Sequence, residues 1–200
     1  MIVVPSILSR TREPALSLAD AKQHLRLLHT SDEDSYVTDL VLAAQDFIED
    51  RTDRTFTEAT YTSTFESFPA DECLWLSRPP VSDATITYWS NGTIRTFTDF
   101  TLCAAGEIES YIEVGDGGWP STDDRPDAIT IEYTAGKSAA ECPAAVRHAI
   151  RLLIGTWYSN RESITGAKDR SGGPVEHSLN ALIGVLKSGR TGGGYANNDR

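Results

Sequence analysis

The chain has 200 residues, of which 40% are hydrophobic and 24% are charged, enough for one medium-sized domain with its own core. Its formal net charge of −11 argues against a protein that binds nucleic acid or anionic membranes through a basic surface. The sequence has no run of about 20 apolar residues and no basic leader, so we expect a soluble protein made in a cytoplasm.

Two helices are predicted in the N-terminal part of the chain. Ser17 is the expected N-cap of the first, near residues 17–28, because Asp20 stands three residues further on. Ser31 is the expected N-cap of the second, near residues 31–52, whose acidic first turn suits the positive end of a helix. Apolar residues recur in this second helix at spacings of three and four: Val37, Leu40, Val41, Ala44, Phe47 and Ile48.

Strands are predicted between residues 57 and 136, because the spacing of apolar residues changes there from about 3.6 to about 2. We expect an antiparallel β unit of five to seven short strands. Asn91-Gly92 predicts a type I′ hairpin turn, since both residues tolerate a positive φ. The run GDGG from Gly115 predicts a tight turn.

Helical periodicity returns after Pro143, which suits the first turn of a helix near residues 143–160. A polar, glycine-rich loop follows this helix and leads into a short final helix. The last residues form a glycine-rich tail that we expect to be flexible.

These elements predict an α+β fold in which one helical core contains an inserted β unit. Residues 1–56 would form the N-terminal helical part, residues 57–142 the inserted β unit, and residues 143–162 the C-terminal core helix. Residues 163–200 would form the flexible loop, the short helix and the tail.

Charge is unevenly distributed among these parts. Residues 57–142 carry 15 acidic and 4 basic side chains, whereas residues 143–200 carry 4 acidic and 8 basic ones. Two interpretations stay open: a contact between the basic part of one chain and the acidic surface of another, or chance variation on solvated faces.

Reactive and metal-binding patterns are weak throughout the sequence. Cys73, Cys103 and Cys142 are odd in number and far apart, so neither a disulfide framework nor a structural zinc site is expected. The four histidines form no metal-binding motif. Glu107 and Glu109 would share a face of one strand, where a solvated edge explains paired carboxylates more simply than catalysis does. We predict no catalytic residue, metal or cofactor, and no enzyme.

Two N-terminal segments carry a family resemblance: residues 16–27 (LSLADAKQHLRL) and residues 32–54, which end in Asp53-Arg54. They resemble the opening element and the second helix of the head–tail connector (adaptor) proteins of long-tailed phages, prophages and gene transfer agents. Members of that family commonly have Gly-Arg where this chain has Asp53-Arg54.

Later segments continue the resemblance in the same order and spacing, to about residue 165. Residues 74–81 (LWLSRPPV), Trp119-Pro120 and residues 131–136 (IEYTAG) are similar to elements of the family's β region. Four residue pairs look like parts of the family's last core helix: Cys142-Pro143, Ala149-Ile150, Trp157-Tyr158 and Arg161-Glu162.

The resemblance implies a structural ring of twelve copies beneath the portal protein at a capsid vertex, joined below to a stopper or tail-completion protein. DNA would pass through this ring without sequence-specific binding. The protein would reside in a virion or phage-like particle after synthesis in the cytoplasm of a bacterial host. The helical core would build the ring, and the C-terminal segment would dock on the portal.

Candidate residues follow from these implied roles. Core and ring-contact candidates lie on the apolar faces of the second and third helices: Val37, Leu40, Val41, Ala44, Ile48, Val146, Ile150, Leu153 and Trp157. Portal-docking candidates lie in the C-terminal segment, whose flanking glycines suit a segment that becomes ordered on binding: Leu179, Leu182, Ile183, Leu186, Lys187, Arg190 and Tyr195.

Two other functions stay open. The β unit would serve as a small ligand-binding or hydrolytic module if Trp75, Trp89 and Trp119 formed a stacking platform, although such residues more often fill a core. The chain would alternatively be a tail-side completion protein of the same particle, which the sequence distinguishes poorly from a head-side one.

Overall fold

The computed structural model describes residues 6–10, 13–27, 30–161 and 174–187. These residues divide into two compact units. The helical unit contains residues 13–27, 30–52, 138–161 and 174–187, and the β unit contains residues 6–10 and 53–137. Helices and antiparallel sheets are both present, so the predicted α+β fold is confirmed.

Four α-helices and one 3₁₀ turn form the described part of the helical unit: α1 (Leu18–Leu25), α2 (Asp34–Thr52), a 3₁₀ turn (Ala139–Glu141), α3 (Ala144–Ser159) and α4 (Pro174–Leu186). Helices α1, α2 and α3 pack against one another, and α4 packs against α2 and α3. The predicted helices near residues 17–28, 31–52 and 143–160 therefore exist, with shorter bounds. Most of the predicted loop and all of the predicted tail lie outside the described residues. The end of the predicted loop is corrected, because α4 already begins at Pro174 and includes its last four residues.

Helix α1 begins at the predicted cap. The Ser17 Oγ accepts the Asp20 N–H at 3.1 Å and donates to the Asp20 carboxylate at 2.7 Å. The helix ends at Arg26, which has a left-handed φ of 61°. Helix α1 lies close to α3. A Cβ placed on Gly155 of α3 would be 3.3 Å from the His24 Nε2 of α1, which leaves little room for a larger side chain.

Helix α2 begins later than predicted and ends in a left-handed residue. Ser31 contributes its backbone carbonyl, which accepts the Asp34 N–H at 3.2 Å, and the first helical residue is Asp34. At the other end, Asp53 has a φ of 52°, a conformation that favours glycine. This is the position at which members of the resembled family commonly have glycine.

Two antiparallel sheets form the β unit. The first has five strands in the order β1-β2-β8-β4-β5, and the second has three in the order β3-β7-β6. Their bounds are β1 Ser6–Arg10, β2 Ala59–Phe65, β3 Cys73–Leu76, β4 Val81–Ser90, β5 Thr93–Phe97, β6 Phe100–Ala105, β7 Glu109–Val114 and β8 Ile129–Ala135. Strands β2 to β8 lie in the predicted range. Strand β1 was not predicted, because its residues (SILSR) do not alternate between apolar and polar.

Side chains of both sheets contribute to one core in the β unit. Ile86, Ile129 and Ile131 from the first sheet and Leu74 and Ile112 from the second are almost completely buried there. This two-sheet core explains why buried residues alternate with mostly half-buried ones along β2 and β8.

The β4–β5 hairpin has the predicted turn. Asn91 and Gly92 both have positive φ, at 53° and 72°. The Asp123 carboxylate accepts their two backbone N–H groups, each at 2.8 Å. The turn is therefore held by a carboxylate from a distant loop as well as by its own sequence.

The GDGG run forms the predicted tight turn, in which the Gly118 N–H donates to the Gly115 carbonyl at 3.0 Å. The interpretation of Glu107 and Glu109 as strand neighbours is wrong, because Glu107 lies in the turn before β7. Lys137 donates to the Glu107 carboxylate at 2.6 Å and lowers the pKa of that group, with a smaller contribution from Arg54 at 3.4 Å.

Within the described residues, no helix is long and apolar enough to span a membrane. In the same part of the chain, no three His, Cys, Asp or Glu side chains lie together as a metal site would require. Cys73, Cys103 and Cys142, all within the described residues, form no disulfide.

Candidate functional site

The core candidates of α2 and α3 lie inside the helical unit. Seven of these side chains are buried: Val37, Val41, Ala44, Ile48, Val146, Ile150 and Leu153. Leu40 and Trp157 are half-buried, and Trp157 packs edge-on against Phe47 with ring centroids 6.0 Å apart. Buried side chains have no surface to offer another chain, so within this set a ring contact remains a prediction for Leu40 and Trp157.

A buried polar pair lies beside the apolar stripe of α2 and was missed by the sequence analysis. The Gln45 Oε1 accepts the Ala15 N–H at 2.8 Å, and the Gln45 Nε2 donates to the Glu49 Oε1 at 3.3 Å. Both side chains are almost fully buried. They attach the segment before α1 to α2, since a buried backbone N–H needs a partner. The signal was a glutamine directly beside apolar positions of an amphipathic helix.

A second polar group joins the start of α2 to the end of α3; we call Glu33, Tyr36, Tyr158 and Arg161 the Glu33 cluster. The Tyr158 hydroxyl and the Arg161 guanidinium both donate to the Glu33 carboxylate. Arg161 also lies over the rings of Tyr158 and Tyr36, at 4.5 Å and 4.8 Å from their centroids. The cluster fixes the point at which the chain leaves α3.

Electrostatics at the Glu33 cluster follow from these contacts. The hydrogen bond from Tyr158, and then that from Arg161, lower the pKa of Glu33. The same carboxylate raises the pKa of Tyr158 and of Arg161. Glu33 is therefore ionised at neutral pH. The sequence offered a signal, since Glu33, Tyr158 and Arg161 all stand in segments that carry the family resemblance.

The portal-docking candidates of α4 are largely turned toward the helical unit. Leu179, Ile183 and Leu186 are buried and Leu182 is half-buried, on a helix that packs against α2 and α3. The structure thus places this stripe in a packed position without any partner chain, unlike the expectation that it becomes ordered only on binding. Val185 and Lys187 are exposed on α4, with Val185 83% accessible.

Two of the docking candidates, Arg190 and Tyr195, lie outside the described residues. Docking by this segment remains a prediction.

The three tryptophans of the proposed stacking platform do not form one surface. Trp119 stacks on Phe68 with centroids 4.6 Å apart, at the edge of the β core. Trp89 lies beneath the Arg125 guanidinium at 4.0 Å, and Trp75 contacts Tyr111 at 4.8 Å on the other sheet. Each tryptophan therefore has its own neighbours, and the structure does not bring the three together.

Comparison with known proteins gives one family and one fold. The model of the phage gp6-like head-tail connector protein family matches residues 15–76. No curated protein matches the chain.

Among solved structures, this chain is similar to a chain of the neck of an empty gene transfer agent (GTA) particle, computed with C6 symmetry. The two chains align with a TM-score of 0.75 and 22% sequence identity. A chain of the virion of a native gene transfer agent (GTA) particle has a TM-score of 0.72 and 21% identity. A chain of the neck of a native GTA particle, computed with C12 symmetry, has a TM-score of 0.70 and 21% identity. Each match covers 96% of this chain and 99% of the other. This chain shares its fold with these particle components. The predicted resemblance to the phage head–tail connector family is confirmed by the family match at residues 15–76.

Proposed function

We propose that this chain is a structural subunit of the neck of a phage-like particle, where it joins the portal vertex of the capsid to a stopper or tail. One observation carries the proposal. The connector-family match at residues 15–76 lies in a chain whose fold is similar to that of a GTA particle component over 96% of its length. The location would accordingly be the capsid–tail junction.

The ring would contain twelve copies. Support comes from the similarity to a chain of a GTA neck that was computed with C12 symmetry. Copies in a cyclic ring meet through two different surfaces of the same chain, so each copy needs two complementary contact regions.

DNA would pass through the ring without being held. Binding of duplex DNA depends on neutralising its phosphates with lysine and arginine. This chain has 29 acidic and 18 basic side chains, and its residues 57–142 are the most acidic part. A lumen lined by such a surface repels phosphate and lets the duplex slide.

Portal docking would use the exposed side of α4 and the residues after it. Val185 and Lys187 are exposed there, next to the buried stripe that holds the helix in place. The basic excess of residues 143–200 supports a contact with an acidic surface of the portal. No catalytic step is part of this function.

The test is the mass of the purified full chain, alone and mixed with its portal protein, by native mass spectrometry and light scattering. We expect a stoichiometric ring-on-ring complex with the portal. A chain that ignores the portal in this assay would contradict the proposal. Binding of a sugar or nucleotide by that chain would then favour the ligand-binding alternative, and binding to tail proteins the tail-side one.

A further inference from the structure

Strand β5 is an exposed strand edge of the β unit. It is the last strand of the five-stranded sheet and pairs only with β4. Its residues Thr93 to Thr96 are exposed on both faces of the sheet, and only Phe97 reaches the core. The strand therefore projects beyond the core and is not covered by another described element.

Two of the five residues of β5 point their backbone groups away from β4. Ser90 and Thr93 flank a two-residue turn and form a hydrogen-bonded pair, so Thr93, Arg95 and Phe97 turn their backbone groups toward β4. Ile94 and Thr96 then point their backbone N–H and C=O groups away from β4, toward the open edge of the sheet. Neither residue has another backbone partner within the described part of the chain. These outward N–H and C=O groups can accept one more strand.

The hairpin that carries this edge is held by contacts from a distant loop. The Asp123 carboxylate holds the backbone N–H groups of Asn91 and Gly92, and the Asp123 N–H donates to the Trp89 carbonyl at 3.0 Å. Arg125 covers the ring of Trp89 at 4.0 Å. A preorganised strand loses little conformational freedom when it binds, so it is suited to contact another chain.

An apolar side chain accompanies the free edge. Ile94 is 62% accessible, and among the large apolar side chains whose exposure the structure describes, only Val185 is more exposed. Strand β5 contains no proline and no bulge, whereas β1 at the opposite edge of the same sheet has a register shift next to Ile7. Proteins commonly protect solvent-facing edges with such features, and β5 has only the charge of Arg95.

We propose that β5 binds a strand edge of a second copy of this chain and so forms a contact between neighbouring subunits. This inference rests on the proposed ring. Pairing two β5 strands over their full length would place Arg95 directly opposite Arg95, which is unfavourable. The partner edge is therefore a different one, as a cyclic ring of identical subunits requires.

The experiment uses the full chain in complex with the portal and changes only the outward side of β5. Thr96→Pro removes an N–H that the hairpin itself does not use, and Thr96→Val is its matched control because it keeps that N–H. Ile94→Lys places a charge on the edge, and Ile108→Lys is its control in the exposed turn before β7. Circular dichroism and thermal unfolding establish that all four variants fold.

Native mass spectrometry then counts the copies bound per portal. We expect Thr96→Pro and Ile94→Lys to need at least about tenfold more protein for a complete ring, and both controls to behave as wild type. Complete rings at wild-type concentration in both edge variants would overturn the β5 contact while leaving the connector function intact. A wild-type chain that never binds the portal would overturn the connector function and the β5 contact together.

Discussion

Single residues at helix ends determine how the chain enters and leaves the helical unit. Ser17 caps α1, and the Glu33 cluster ties the start of α2 to the end of α3. Arg26 and Asp53 end α1 and α2 in the left-handed conformation. These positions respond to changes that leave the apolar core untouched, so their contributions can be measured one at a time.

Acid should weaken the Glu33 cluster. Because the pKa of Glu33 is lowered in the folded chain, its contribution to stability is present above the unfolded pKa of 4.5 and is lost as the pH falls through the folded pKa. We expect Glu33→Gln to lower the unfolding temperature at pH 7, and the difference from wild type to shrink below pH 4.5. Thermal unfolding of both proteins at pH values from 7 to below 4.5 measures this difference in unfolding temperature. Asp32→Asn is the control, and an equal loss in Asp32→Asn would contradict the prediction.

Glycine should be favourable at the two left-handed helix ends. A side chain in this conformation costs about 1 kcal/mol relative to glycine, so Arg26→Gly is expected to raise the free energy of unfolding by about 0.5–1 kcal/mol. Asp53→Gly should gain less, because it also loses the ion pair with Arg78 at 3.7 Å. Urea denaturation measures both. A loss of stability in Arg26→Gly would show that this residue has a stabilising contact that outweighs the backbone term.

At the scale of elements, distant segments fix structures that begin locally. The β4–β5 turn has a favourable local sequence, yet Asp123 from another loop holds it. Helix α2 has a regular apolar stripe, yet Gln45 and Glu49 beside it attach the segment before α1. Helix α4 buries its stripe against α2 and α3. Local sequence thus starts these elements, and long-range contacts hold them in place.

Removal of the Asp123 carboxylate should loosen the hairpin without unfolding the β unit. Asp123→Ala deletes two hydrogen bonds at an exposed turn, and we expect it to cost about 1 kcal/mol of unfolding free energy. Urea denaturation provides the value, and hydrogen exchange at Asn91 and Gly92 should speed up. Asp124→Ala, at the next exposed position, is the matched control. Equal stability of Asp123→Ala and wild type would mean that the turn sequence alone holds the hairpin.

At the scale of the whole molecule, the helical unit is assembled from two segments that lie before and after most of the β unit in the sequence. Residues 13–52 supply α1 and α2, whereas α3 and α4 follow after residue 137. Its core therefore depends on contacts between residues about 100 positions apart, such as those between α2 and α3. Damage to either segment is expected to unfold the whole unit, and any ring with it.

Leu153→Asp and Val41→Asp test this dependence from the two sides. Each places a carboxylate in the buried core, which we expect to cost about 4 kcal/mol or more and to abolish folding or assembly. Helix content by circular dichroism and the yield of complete particles report the two effects. Thr156→Asp adds the same charge on the exposed side of α3 and should be tolerated. Normal particle yield with Leu153→Asp would contradict the assignment of this core.

The sequence by itself determined the features that depend on neighbouring residues. These include the amphipathic helices, the Ser17 cap, the Asn91-Gly92 turn and the strands between residues 57 and 136, because apolar periodicity and turn chemistry act over a few positions. The family resemblance followed from the same local segments.

Tertiary structure alone decided the features that join residues far apart in the sequence. It added β1 to the edge of a sheet, gathered the Glu33 cluster from two helices, buried the stripe of α4 and left β5 uncovered. Such pairings depend on which elements meet when the chain folds, and that is set by burial of apolar surface summed over the whole unit.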